Sequence, residues 1–396
     1  MKEAPYDLII VGAGCYGTSL ASQLLEKTPA LKLLLVDERA HFRQEQRWCF
    51  WQHQNEETPP GQTKSWSAWS FQRDGRRNLY RATEWSYTHI YAPLFFKLSH
   101  QRLKSHGWNI LTNAPVTQIN SRRGMHAVHL ADGQIFHSKR VIDSRARISQ
   151  RPTSPINPGE GWWQSFYGEI LEIISSDQGF TLMDIDDDLG YPLSFGYILP
   201  LKDKRTLVEY TVFSKDPLDI SKLRALLSGY KKRLGIARGV SFGFEQGWLP
   251  MLRHRRTPLL GHHRGANYGT IRPASGYAFA RIQKQASADA TAISNDTAVS
   301  QKLGFYDHLD SVFLTTLSSR PELVADAFEK LMSALTGDEL ASFMAEKASA
   351  STLIKVISVL PKLPFLEGAI DYLSELVRPH DASTLPAPEV ALPRPL

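Results

Sequence analysis

Glycine spacing near the start of the chain limits its fold more than any other feature. The segment Tyr6–Asp37 reads YDLIIVGAGCYGTSLASQLLEKTPALKLLLVD. An apolar run, Leu8–Val11, enters Gly12-x-Gly14-x-x-Gly17. A helix-forming run, Ser19–Glu26, follows, and a second apolar run, Leu31–Val36, ends on Asp37. Strand, tight glycine turn, helix, strand and acid together make the βαβ dinucleotide fingerprint. A glycine triplet alone often marks only turns, so the surrounding order carries the reading. Gly12 permits the turn, Gly14 lets the backbone approach a pyrophosphate, and Gly17 lets helix and strand pack closely. Free N–H groups at the helix start attract phosphate, and Asp37 is expected to accept ribose hydroxyls. The fingerprint's place at the head of the chain favours FAD over a nicotinamide cofactor.

A chain of 396 residues can bury a large core. Lys+Arg 46 against Asp+Glu 40 gives a net +6. That excess is mild and scattered, which fits weak attraction to anionic lipid or nucleotide phosphate and argues against nucleic-acid binding. The two cysteines, Cys15 and Cys49, have no metal-ligand spacing. A disulfide scaffold is not expected, and a reducing cytosol is. The first strand starts almost at once, so no signal peptide is expected. No apolar run of 18 residues occurs, so no transmembrane helix is expected. Hydrolase and zinc-protease patterns (G-x-S-x-G, H-E-x-x-H) are missing, and His262-His263 reads as a polar loop.

After Asp37 comes an aromatic-rich stretch read as a loop: Phe42, Trp48, Phe50, Trp51, Trp66 and Trp69. Leu94–His106 reads as an amphipathic helix. Short strands are expected at Ile110–Gln118, Ala127–Leu130 and Gln134–His137, with an Asp132-Gly133 hairpin turn. Lys139–Asp143 reads as a strand returning to the nucleotide sheet, as in FAD enzymes of the glutathione-reductase type. Trp162–Trp248 is strand-rich with alternation at Phe195, Tyr197, Leu199 and at Leu207, Glu209, Thr211, Phe213. This predicts a half-buried antiparallel sheet, interrupted by a helix at Ile220–Leu234. Tyr306–Leu376 is helical throughout. The fold class is therefore α/β. It comprises a Rossmann-like FAD-binding domain (1–150 and 256–300), an antiparallel sheet substrate domain (151–255), a helical C-terminal region (301–377) and an extended tail (378–396).

A late segment, Gly269–Tyr277 (GTIRPASGY), has the content of a loop that covers a flavin. Gly269 and Gly276 allow close backbone approach, and Pro273 stiffens the loop. A helix beginning near Gly276 would aim its N-terminus at the pyrimidine edge. An ordinary Pro/Gly turn before a helix is the plainer alternative.

With these segments placed, the chain resembles the FAD-dependent lycopene β-cyclase family over nearly its whole length. The resemblance rests on an ordered set of pieces: YDLIIVGAG, RWCFW (Arg47–Trp51), VIDSRA (Val141–Ala146), WWQSFYGEI, LMDIDDDLGYPLSFGYILPLKDKRTLVEYTVFS, EQGWLPM and GTIRPASGYAFARIQ. It implies redox-neutral, proton-initiated closure of the acyclic end groups of lycopene, or a related linear carotene, to β-ionone rings. It also implies reduced FAD, with NADPH or another reductant only keeping it reduced. The family often carries a second acid directly after the motif glutamate. Tyr210 stands there in this chain, which leaves room for an altered substrate.

Such chemistry needs a proton donor, stabilisation of a cation and exclusion of water. Glu209 is the candidate acid/base, since burial among Leu207, Val208 and Phe213 would favour its neutral form. Its alternatives are an exposed strand residue or a partner of Arg205. Asp184 is the second candidate. Asp186, Asp187 and Asp188 read as a solvated turn, and Glu245 precedes a Gly-Trp turn. Trp48, Trp51, Tyr197 and Tyr277 are placed at the substrate pocket, each aromatic face giving a cation roughly 0.5–2 kcal/mol; ordinary core packing is their alternative. Arg47 and Asp143 are candidate cofactor contacts. Because carotenes dissolve in bilayers, Leu353–Leu373 is expected to lie on a membrane surface, so the protein is expected to be cytoplasmic and peripherally membrane-associated. Open alternatives are an FAD-dependent prenyl reductase or monooxygenase on this fold, a cyclase of another terpenoid, and a non-catalytic carotenoid- or flavin-binding protein.

Overall fold

Strand, glycine turn, helix and strand follow one another as the fingerprint spacing requires: β1 (Tyr6–Val11), α1 (Cys15–Lys27) and β2 (Leu33–Val36). The structure is a computed structural model, describing residues 4–42, 47–145, 161–172, 179–187, 189–202, 204–236, 240–253, 270–298 and 303–377. Asp188, His262, His263, Gly269 and the tail 378–396 lie outside these residues.

The aromatic stretch expected as a loop instead forms strands β3 (Arg47–His53), β4 (Gln62–Trp66), β5 (Ala68–Arg73), β6 (Arg76–Arg81) and β7 (Trp85–Tyr91). β5 and β6 form a local hairpin through Asp74-Gly75, a turn signal the sequence carried unread, while β3 and β4 both pair with β7. β5 pairs in parallel with a strand more than a hundred residues later, Trp69 opposite Phe180. Next come α2 (Ala92–Ser105), β8 (Asn109–Leu111), β9 (Val116–Arg122), β10 (Met125–Leu130) and β11 (Ile135–Asp143). The single strand expected at Ile110–Gln118 is thus two, parted where Asn113 takes a left-handed φ of 54°.

The first sheet runs β8-β2-β1-β11-β10-β9. Its parallel centre sets Ile10 between Leu35 and Ile142. Apolar residues cover both faces, as a central parallel sheet requires. The antiparallel β9 and β10 form the expected excursion.

A second sheet uses β12 (Gly161–Glu172), β13 (Phe180–Ile185), β14 (Leu193–Pro200), β15 (Arg205–Ser214) and, after α3 (Ile220–Arg233), β16 (Ser241–Leu252). Its order is β16-β12-β15-β14-β13-β5-β6, so it draws two strands from before residue 151. Helix α3 closes one face through Leu223, Leu227 and Tyr230. The other face carries Phe195, Leu207 and Phe213 into the largest core. That core is completed by the small sheet β3-β7-β4 and by the C-terminal helices. Fully buried side chains such as Trp69 and Leu199 stabilise it by roughly 1.5–3 kcal/mol each.

Helix α4 (Phe279–Ser294) begins three residues later than Gly276 and returns to lie beside α1 on the first sheet. Ala21, Ala286 and Ala290 keep the contact close. The chain ends in α5 (Phe305–Ser319), α6 (Val324–Ala334), α7 (Gly337–Met344), α8 (Ala350–Val359) and α9 (Lys362–Val377).

Candidate active site

The nucleotide end is built by the glycine turn. Gly12 has φ +97°, and a methyl added at Gly17 would lie 1.9 Å from the Gly12 carbonyl oxygen, so neither tolerates a side chain. At Gly14 an added methyl would meet only the Arg39 guanidinium, 4.0 Å away, so space opens there for a ligand. Helix α1 starts at Gly14 with no side-chain cap and no acid in its first turn. Its N–H groups are left to bind an anion.

Asp37 differs from expectation. Its carboxylate accepts the Ala13 N–H at 2.6 Å, the Arg39 N–H at 2.9 Å and both arms of the Arg39 guanidinium at 2.8 Å. Four bonds fill a carboxylate's capacity, so Asp37 fastens the glycine turn and holds Arg39 at its rim. Sequence reasoning passed over Arg39. Asp143, another expected cofactor contact, is likewise occupied by the Arg145 guanidinium at 2.6 and 2.9 Å. Ser144 beside it donates to the Gly12 carbonyl at 2.7 Å.

The late loop folds as a turn in which the Gly276 N–H donates to the Arg272 carbonyl at 2.9 Å. Gly276 has φ +72°, and an added methyl would sit 2.7 Å from Gln164 Oε1 and from Leu249 Cδ1. The loop therefore rests on β12 and β16. Pro273 is buried in it. Thr270 Oγ1, Ser275 Oγ and Gln164 Oε1 are buried without hydrogen-bond partners. Such groups carry a desolvation cost until a polar ligand edge meets them. Helix α4 beyond also starts without a cap or first-turn acid. Two uncapped helix starts and three unpartnered polar atoms fit a ligand with a pyrophosphate at one end and a polar heterocycle at the other, as FAD has.

The acid end is a row across four strands. Tyr197 on β14 faces Glu209 on β15, Glu209 faces Gly168 on β12, and Gly168 faces Glu245 on β16. Glu245 thus lies inside a strand and not before a turn. Glu209 is half-buried between the second sheet and the small sheet. Burial, then the neighbouring Glu245 charge, push its carboxyl well above the usual range, against a hydroxyl bond from Thr211 at 3.0 Å. Both influences favour the proton-bound form of Glu209. Arg47, expected at the cofactor, instead stands 3.7 Å from Glu245.

Facing this row are Cys49, Trp51 and Tyr87 from the small sheet. The Tyr197 and Tyr277 hydroxyls donate to the Tyr87 hydroxyl at 3.4 and 3.2 Å. Tyr87 stacks on Phe180 at 4.5 Å, and Trp51 meets Trp69 edge-on at 4.6 Å. Trp51, Tyr197 and Tyr277 thus come together, joined by Tyr87 and Phe180, which sequence reasoning did not single out. Trp48 does not join them. It points from the other face of β3 and stacks on Phe279 at 5.6 Å. Burial pushes the Cys49 thiol up to about 12, which keeps it an inert apolar neighbour.

Asp184 is also absent from the acid row. Thr181 pairs with Ile198 but Asp184 with Gly196, a one-residue bulge. That extra residue turns Asp184 onto the α3 face, beside Tyr230 and 3.7 Å from Arg233. Asp186 and Asp187, expected in solvent, are paired: Asp186 accepts from Arg233 at 2.7 Å and Tyr210 at 3.0 Å, and Asp187 from Arg73 at 2.7 Å. Tyr210 itself faces α3. An acid at that position would point away from Glu209, so its lack does not weaken the cavity's acid pair.

The chain is 25% identical over 392 residues to a lycopene beta-cyclase of Pantoea ananas, covering 91% of this chain and 96% of that one. It is 29% identical over 259 residues to a lycopene beta-cyclase of Pseudescherichia vulneris, covering 62% and 61%. Its fold is that of FAD-binding flavoproteins. A geranylgeranyl bacteriochlorophyll reductase-like protein of Thermoplasma acidophilum superimposes with TM-score 0.60 at 15% identity, covering 94% of this chain and 99% of that one. Halogenase PltM, solved with phloroglucinol and FAD, gives 0.56 at 11% identity, covering 94% and 93%. The model of the lycopene cyclase protein family matches residues 7–311, and the chain belongs to that family.

Proposed function

We propose that the protein is an FAD-dependent lycopene β-cyclase, an isomerase that closes the acyclic end groups of lycopene or a related linear carotene to β-ionone rings without net redox change. The observation that carries this reading is Glu209 set beside Glu245 in surroundings that favour its proton-bound form, facing Trp51, Tyr87 and Tyr197. The Glu209 carboxyl gives its proton to the terminal double bond. The neighbouring alkene attacks the resulting tertiary cation, and a ring proton returns to a carboxylate, so protons and electrons balance. Tyr87, Tyr197, Tyr277 and Trp51 offer π-faces to the cation, each contributing roughly 0.5–2 kcal/mol, and the apolar walls exclude water. Gly12, Gly14, Gly17 and Arg39 would hold the pyrophosphate end of FAD, and Gln164, Thr270 and Ser275 its ring edge. The chemistry supplied by FAD, kept reduced by NADPH, is an electron-rich ring that stabilises positive charge.

The test is expression in cells that accumulate lycopene, followed by pigment analysis. The expected product is cyclised and equal in mass to lycopene. Unchanged lycopene beside flavin-loaded protein would overturn the reading, and a product differing by hydrogen or oxygen would move it to the redox enzymes of this fold.

The insolubility of carotenes in water supports docking on the cytoplasmic face of a membrane. Helix α9 turns Gly368 and Tyr372 inward and leaves Leu363, Leu366, Ile370, Leu373 and Val377 outward, 57–83% exposed. Ile354 and Ile357 of α8 extend the patch. No described helix is long and apolar enough to cross a membrane, so the patch suits an interfacial element. Replacing Leu366 and Ile370 by Glu removes two apolar anchors of roughly 1.5–3 kcal/mol each. Co-sedimentation with phosphatidylcholine vesicles should then weaken at least about tenfold. Unchanged sedimentation would exclude α9 as the docking surface.

A further inference from the structure

Glu209 and Glu245 sit on strands that are not neighbours. β12 lies between β15 and β16, which separates their backbones by about 9–10 Å. Two glutamate side chains can meet over such a gap only where the intervening residue has none. That residue is Gly168, paired with both acids, and a methyl there would lie 3.0 Å from Glu209 Cβ and 3.0 Å from Leu207 Cδ1. A glycine inside a twelve-residue strand weakens it, so its presence here has a reason in what must pass over it. Beyond Glu245, Arg47 stands 3.7 Å away, with side chains only 7% and 16% exposed. Arg47 is aligned by its place on β3 and by the Tyr91 ring, 5.9 Å from its guanidinium.

We infer that Glu245 and Arg47 are positioning residues for the reactive proton: Arg47 keeps Glu245 ionised, and Glu245 keeps that proton on Glu209 through a hydrogen bond across Gly168. The inference rests on the cyclase reading and specifies how its acid is set. When Glu209 gives its proton to the alkene, two carboxylates face each other in an enclosed site. Their repulsion makes the pair a ready acceptor for the ring proton lost at the end, so the acid is regenerated without solvent. Among the described residues, His89 of β7 lies opposite Cys49 and near Arg47, where burial and then the Arg47 charge lower it to about 4 and leave it uncharged at neutral pH. The other titratable groups among them that face the pair are Tyr197 from β14, Cys49 from β3, Tyr87 from β7 and Tyr277 from the late loop. Burial holds all four neutral across the physiological range. Glu245 and Arg47 are therefore the charges that tune Glu209.

The experiment follows the carboxylic-acid carbonyl band of purified, FAD-loaded protein by infrared spectroscopy across pH, without substrate. Wild type is expected to keep a protonated carboxyl at neutral pH that Glu209→Gln removes. Glu245→Gln should lower its titration midpoint by about one pH unit or more, because a like charge is gone. Arg47→Met should raise it, because the shared proton is then held by an unneutralised pair. Opposite shifts are a signature that a merely structural role does not give. With lycopene, the alkaline limb of turnover should move the same way in each variant. A midpoint that stays in place in Glu245→Gln, or stays or falls in Arg47→Met, overturns the inference. Shifts as expected in protein that leaves lycopene unchanged would uphold the shared proton while the cyclase reading alone falls.

Discussion

Glu209→Gln should lower lycopene cyclisation by about 10²–10⁴-fold, the loss that follows removal of a general acid. Flavin content should be unchanged, because Glu209 lies at the acid row and not at the glycine turn. The same variant should be more stable than wild type, increasingly so as pH rises. Burial and Glu245 raise the folded-state affinity of Glu209 for its proton. Below the unfolded-state carboxylate range, Glu209 is protonated in both states and costs nothing. As pH climbs from that range towards the raised folded value, the unfolded chain releases a proton that the native state retains, so wild type loses stability, and the loss levels off above the folded value. Glutamine does not titrate. Thermal melts should therefore diverge as pH rises from about 4, with the variant above. Parallel melts would show that Glu209 is solvated in the native state, and wild-type turnover by the variant would remove it from the mechanism.

Arg272→Met should destabilise the protein by about 3–5 kcal/mol, the cost of stranding a buried charge. Arg272 is 3% exposed and Asp310 2%. The guanidinium reaches both Asp310 oxygens at 3.2–3.3 Å and donates to the Phe343 and Met344 carbonyls at 3.2 and 3.0 Å. It lies between the Tyr306 and Phe343 rings, about 5.5 Å from each. Methionine fills most of the volume but, among the described residues, leaves Asp310 with Arg281 alone as a cationic partner, 3.8 Å away. Arg272 also ties the late loop to α5 and α7, so bound flavin should fall with stability. Adding Asp310→Asn should restore much of the loss, since the stranded charge is then gone. Urea unfolding of the two single variants and the double measures the coupling. A loss under about 1 kcal/mol for Arg272→Met would place the cluster among weakly coupled surface pairs.

Legibility in the sequence followed the range of the interactions. The βαβ unit, the helix near Ile220 and the helical run after residue 305 were readable, because glycine spacing and apolar period are local. Glu209 was readable too, as an acid in the alternating strand LVEYTVF. The strands between Arg47 and Tyr91 were not, since β5 joins the second sheet through the distant β13, although the β5–β6 hairpin carries a local Asp74-Gly75 turn signal that went unused. Sequence did hold one unused signal for the acid pair: Gly168 inside WWQSFYGEI, a glycine where a strand should carry a side chain.

The choice among acids shows the division most clearly. Composition and periodicity by themselves fixed that this chain folds around a dinucleotide turn and lays an acid along a half-buried strand. They could not tell which other carboxyl shares the cavity, because a strand's side chains alternate and a one-residue change in pairing exchanges its faces. A bulge between Thr181 and Asp184 sends Asp184 to the α3 side, while the pairing of Gly168 with Glu245 brings that residue over the glycine to Glu209. Register between strands distant in the chain is a property of the assembled sheet, so only the tertiary structure decided the pair.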